Sequence, residues 1–155
     1  GFQIDRTLSL AETDPVLTIA TGFTNITDKP NVVRMRSHLS LDMGDLHKTR
    51  VSFTNRKGDA VTADMARIIA GMREGEHYLD ERAPSRQWAF EGAKGQRLVQ
   101  TFDDAAMDFT WLYAYPEDLG VLEAEVWAKP VTLQPKETFT FTHSMALTTE
   151  EGVER

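Results

Sequence analysis

The sequence predicts an all-β protein, a twisted antiparallel two-sheet β-sandwich with one short helix, and three observations carry that prediction. Apolar and polar residues alternate with period two in about nine or ten separate runs. Clusters of Gly, Pro, Asp and Asn separate those runs at short intervals. Only between Asp64 and Gly75 does the apolar spacing change to i, i+3, i+4, i+7.

Composition bounds the rest. A chain of 155 residues can bury a core without metals or disulfides, and 41% hydrophobic with 26% charged residues is the balance of a soluble globular domain. No apolar run is long enough to span a membrane. Lys and Arg number 17 against 24 Asp and Glu, a net charge of -7, which repels a nucleic-acid backbone. With no cysteine, thiolate catalysis, Cys-type zinc sites and disulfides are excluded. Gly1 leads straight into a strand pattern, with no initiator Met or leader. Residues 1–155 are therefore expected to be a single module, excised from or appended to a larger bacterial protein, with any enzyme it serves lying in a neighbouring catalytic domain. Compartment is open, with a lean to a secreted or periplasmic location.

In chain order, Phe2, Ile4, Leu8 and Leu10 share parity and predict a core-facing strand ending at Thr13-Asp-Pro15. Leu17, Ile19, Thr21 and Phe23 predict a second, closed by Thr27-Asp-Lys-Pro30. Asn25-Ile-Thr27 has the form of a glycosylation sequon, although an ordinary turn Asn explains it as well.

Residues 31–44 then sort onto two chemically opposite faces. Val33, Met35, Ser37, Leu39 and Leu41 form a core face, while Val32, Arg34, Arg36, His38 and Ser40 form a polar, mostly cationic one. Residues 49–55 and 59–62 read as a hairpin about Gly58, with His47 a surface histidine in the loop before it. Asp64 is placed to cap a helix that presents Met65, Ile68, Ile69 and Met72 and stops at Gly75. The charged residues 74–86 read as a solvated rim loop, with His77 and Tyr78 inside it.

Residues 87–102 predict a second hairpin around Gly92 and Gly95. Phe109, Trp111, Tyr113 and Tyr115 share one strand face, and rings at this spacing are expected to pack a core because each buries a large area. In residues 121–127, Leu122, Ala124 and Val126 oppose Val121, Glu123, Glu125 and Trp127. In the last strand Phe139, Phe141, His143, Met145 and Leu147 share a face, so His143 reads as a hydrogen-bonded core histidine. Residues 150–155 are a charged tail expected to fray.

Phosphate-cradling glycine loops, His-Glu-x-x-His and the Gly-x-Ser-x-Gly elbow are all missing, and no run matches a calcium loop. Neither a metal nor a cofactor is expected. What remains is a cationic strand carrying Arg34, Arg36 and His38 and an acidic one carrying Glu123, Glu125 and Trp127. If the two share a sheet face, opposite charges should pair, and Arg36 with Glu123 is the expected couple. A histidine beside a carboxylate suits proton transfer or the hydrogen-bonding of a polyol.

Thr24-Asn-Ile-Thr-Asp-Lys-Pro30 followed by Ser37-His-Leu-Ser-Leu-Asp-Met-Gly44 resembles the aldose 1-epimerase (galactose mutarotase) stretch that ends in Asn-His-x-x-Phe-Asn-Leu-x-Gly. Val121-Leu-Glu-Ala-Glu-Val-Trp127 and Leu133-Gln-Pro-Lys-Glu137 are similar to that family's Leu-Glu-x-x-x-Trp segment and Leu-x-Pro-Gly-Glu turn. The resemblance implies a galactose mutarotase-like β-sandwich, with His38 at the position of the catalytic acid and Glu123 at that of the general base. Ser37 replaces the motif's Asn, Leu41 its Phe and Lys136 its Gly. The Phe-His-Gly-Gly substrate segment has no counterpart, and the chain is about half the family's usual length. Three functions follow as expectations. The preferred one is a non-catalytic carbohydrate-binding or accessory module that uses Arg34, Arg36, His38, Glu123, Glu125 and Trp127 on an oligo- or polysaccharide, acidic sugars included. The alternatives are an epimerase- or lyase-like enzyme fragment built on His38 and Glu123, and a purely structural domain.

Overall fold

The computed structural model describes residues 1–71, 75–115 and 120–149. Thirteen strands and one helix are described: β1 (Phe2–Leu10), β2 (Val16–Asn25), β3 (Asn31–Val33), β4 (Arg36–Leu41), β5 (Arg50–Thr54), β6 (Ala60–Asp64), α1 (Met65–Gly71), β7 (Glu76–Tyr78), β8 (Gln87–Glu91), β9 (Gln96–Phe102), β10 (Met107–Tyr115), β11 (Val121–Ala128), β12 (Val131–Leu133) and β13 (Thr138–Thr149). A seven-stranded sheet runs β1-β2-β13-β9-β8-β5-β6, a four-stranded sheet runs β4-β11-β10-β7, and β12 pairs with β3. Every pairing is antiparallel. The all-β sandwich predicted from alternation is the observed fold.

The core forms by size complementarity. On the larger sheet Trp88, Phe90 and Phe141 are buried, and on the smaller one Leu112, Leu122, Ala124 and Val126 are buried in the same cluster. Large rings on the wider layer and mostly aliphatic side chains on the narrower one, with Tyr78 the exception, fill the space between layers. This corrects the assignment of β10. Its aromatic face, carrying Phe109, Trp111 and Tyr113, is half-buried on the outside, and Leu112 and Ala114 point inward instead.

β1 is a second correction. Ile4, Leu8 and Leu10 are 59%, 60% and 71% exposed rather than in the core. Seven strands are wider than four, so the outermost strand of the larger sheet overhangs its partner layer.

The long strand expected over 31–44 is divided in two, β3 pairing with β12 and β4 with β11. The helix begins where expected, with Asp64 Oδ1 accepting the Ala66 N–H at 2.9 Å, and Met65 and Ile68 are buried. Met72 lies outside the described residues, as does the tail at 150–155.

The loop expected over 74–86 contains β7, which hydrogen-bonds to β10. Tyr78 is buried there, with its ring edge-on to Phe53 at 4.9 Å, and so is no ligand contact. Asn25 is also buried. Its amide donates to the Lys29 and Leu133 carbonyls at 2.8 and 2.9 Å, and its Oδ1 accepts from Thr27, so the sequon asparagine is a turn lock.

Candidate functional site

The polar face of the four-stranded sheet gathers the residues singled out by alternation. In the β4–β11 register Arg36 lies opposite Trp127, His38 opposite Glu125 and Ser40 opposite Glu123. In the β10–β11 register Tyr113 lies opposite Glu123, Trp111 opposite Glu125 and Phe109 beside Trp127. Side chains on one face of neighbouring strands are within reach of one another, so a single antiparallel patch holds all of them.

Two buried carboxylates form its centre. Glu125 is 0% exposed and accepts from Arg36 Nη1 at 3.0 Å and from the Trp127 indole N–H at 2.7 Å. Glu123 accepts from the Ser40 hydroxyl at 2.8 Å and from His38 Nε2. His38 Nδ1 lies 3.5 Å from Glu125 Oε1, so one imidazole bridges both carboxylates. A buried carboxylate is costly unless charge and hydrogen bonds compensate it, and here cations and donors from two strands do so. The expected couple of Arg36 with Glu123 is not the observed one. Arg36 reaches Glu125, and His38 takes Glu123.

Arg34 lies just before β4 and pairs with Asp108 while its Nε donates to the Ala128 carbonyl at 3.1 Å. Its guanidinium stacks over the Phe109 and Trp127 rings at 5.2 and 5.3 Å, and Arg36 lies 5.3 Å from the Trp127 ring. Phe109 and Trp127 are themselves stacked, as are His77 and Trp111 at 4.8 Å, with Tyr113 next to Trp111 at 4.5 Å. A continuous aromatic row thus flanks the acid–base cluster. Sequence reasoning missed Trp111, Tyr113, Phe109 and His77 for this face. Their period-two spacing was visible but was assigned to the core, and His77 was assigned to a loop. Among the described residues no group of three or more His, Asp or Glu side chains is arranged to hold a metal ion.

No protein-family model matches the sequence, and no curated protein matches it. Solved structures do. The Slr1438 protein from Synechocystis superposes with a TM-score of 0.74 over 97% of this chain and 56% of its own, at 12% identity. The GalM/aldose epimerase homologue from C. elegans gives 0.69 over 96% of this chain and 60% of its own, at 14% identity. A galactose mutarotase-like protein from Clostridium acetobutylicum gives 0.66 over 96% and 56%, at 12% identity. The chain has a galactose mutarotase-like fold, and it spans just over half the length of these structures.

Proposed function

We propose that the open face of the four-stranded sheet is a non-catalytic carbohydrate-binding surface. The observation that carries this reading is the pairing of a buried, hydrogen-bonded Glu123–Glu125 centre with a row of half-buried aromatic side chains on one exposed sheet face. Sugars present hydroxyls that exchange hydrogen bonds with charged groups, and C–H faces that pack on rings. Arg36 and His38 stand over the carboxylates with about half and a third of their side chains exposed, 45% and 34%, and so offer donors to a ligand.

A second reading, an aldose 1-epimerase-like or lyase-like fragment, is favoured by the contact between His38 and Glu123, an acid and a base of the right types. Against it stands their geometry. An acid and a base acting on one substrate must each reach a different atom of it, whereas these two are bonded to each other.

Glycan-array binding combined with polarimetry on glucose and galactose separates the readings. The expected result is saturable glycan binding, weakened at least about tenfold by Trp127→Ala, with mutarotation no faster than in buffer. Accelerated mutarotation that disappears in His38→Ala would establish the enzyme reading. Silence in both assays would leave a structural domain.

A further inference from the structure

A cavity of about 270 Å³ opens on the other side of β4, where the overhanging strands of the larger sheet pass the free edge of the smaller one. Its walls include Arg6 from β1, Thr21 from β2, Arg36, Ser37 and His38 from β4, and His143 from β13, and no carboxylate lines it. Glu123 and Glu125 are bonded to Arg36 and His38 on the opposite face. Arg6 is different. It donates Nε to Thr21 Oγ1 at 3.2 Å and has no carboxylate within ion-pair distance among the described residues. Its charge is the uncompensated one.

The floor of the cavity can be assigned donor by donor. The buried Trp88 indole can only donate, and it does so to Gln100 Oε1 at 2.7 Å, which leaves Gln100 Nε2 as the donor end of that amide. Gln100 Nε2 lies 3.2 Å from both Ser37 Oγ and His143 Nδ1, so both of those atoms accept. The imidazole is then the neutral Nε2–H tautomer, and that N–H faces Ser37 Oγ at a long 3.5 Å. Burial and the charge of Arg6 both hold His143 below its ordinary pKa, in keeping with that neutral form. Ser37 Oγ now accepts twice, and its own proton finds no acceptor among the described residues. The buried floor thus offers the Ser37 O–H, and the rim offers the Arg6 guanidinium, which has no carboxylate partner among the described residues.

From this arrangement we infer that the cavity is a binding site for a small oxyanion, a carboxylate or a phosphate, held between the Arg6 guanidinium and the Ser37 hydroxyl. Guanidinium forks match the planar carboxylate and the phosphate face equally well, so chemistry alone does not choose between them. The volume suits only a small ligand, lying just below the lower limit of about 300 Å³ for typical small-molecule sites. The inference is independent of the sugar-binding face.

Its test is an NMR titration of the His143 imidazole with sodium glucuronate and with inorganic phosphate, using glucose and KCl as controls. The expected result is a saturable shift of the His143 signals with one or both anions and none with glucose. KCl at equal ionic strength should not reproduce it. Response to glucuronate alone identifies a carboxylate ligand, and response to phosphate alone a phosphate ester. Arg6→Ala, on an exposed edge strand, should weaken binding at least tenfold, while Trp127→Ala should leave it unchanged and so separate this cavity from the aromatic face. No saturable shift with either anion, a shift equalled by KCl, or binding that survives Arg6→Ala would overturn the inference.

Discussion

His38 sits directly opposite Glu125 in the β4–β11 register, yet its Nε2 donates to Glu123, one pleat repeat further along the same face. The diagonal choice leaves the hydrogen bonds of Glu125 to Arg36 and Trp127, although His38 Nδ1 still lies 3.5 Å from Glu125 Oε1. Both nitrogens of the imidazole face carboxylate oxygens.

This partition predicts unequal coupling. A double-mutant cycle on Arg36 and Glu125 should give about 1 kcal/mol or more, and one on Arg36 and Glu123 less than about 0.5 kcal/mol, measured by urea denaturation. Equal couplings would mean that the two carboxylates share their partners.

His143 makes stability depend on pH. Its folded-state pKa is depressed below the ordinary 6.5, first by burial and then by Arg6. The unfolded chain therefore binds the proton more readily, and stability rises with pH across the interval between the two values. The contribution is complete above about pH 6.5 and is lost as the pH falls through the folded-state value. Urea midpoints should drop between pH 7.5 and 5, and His143→Gln should flatten that slope relative to the parent protein.

Gly75 has φ +86°, and a Cβ there would come within 2.5 Å of Trp111 Nε1 and 2.6 Å of the Leu112 carbonyl. Gly75→Ala should cost more than about 2 kcal/mol, because neither the φ nor the neighbouring backbone can yield cheaply. It should also shift tryptophan fluorescence, since Trp111 must move.

Lys136 occupies the place of the glycine in the resembled turn, and its φ is +67°. That is the left-handed region, which glycine adopts without strain and lysine does not. Relief of left-handed strain by Lys136→Gly is worth about 1–2 kcal/mol, offset by about 0.5–1 kcal/mol of added backbone freedom in the unfolded chain. A net gain of about 0.5 kcal/mol, read as a raised urea midpoint, is expected.

The overhang predicts a contrast between two leucines. Leu8→Ser should change stability by less than about 0.5 kcal/mol, while Leu122→Ala should cost about 2–5 kcal/mol, because only Leu122 leaves a cavity between the sheets.

The amino-acid order by itself determined most of the strands, their alternating faces and the capped start of the helix, but not β7 or the division of β3 from β4. Those features rest on local periodicity, turn chemistry and Asp64. It also grouped Arg36 with His38 and Glu123 with Glu125 and Trp127, because a strand places every second residue on one side whatever lies around it. Tertiary structure alone decided which side faces inward. The rings of Phe109, Trp111 and Tyr113 have the pattern of a core, but the core between the sheets already holds the large rings of Trp88, Phe90 and Phe141, and Leu112 and Ala114 turn inward while the rings face outward. Leu8 and Leu10 have the same pattern and stay exposed because their strand extends past the narrower sheet. Likewise, the choice of Glu125 for Arg36 and Glu123 for His38 depends on long-range register and side-chain reach across two strands far apart in sequence. Period two sorts side chains into faces, and only the packing of one sheet on another assigns a face to the core.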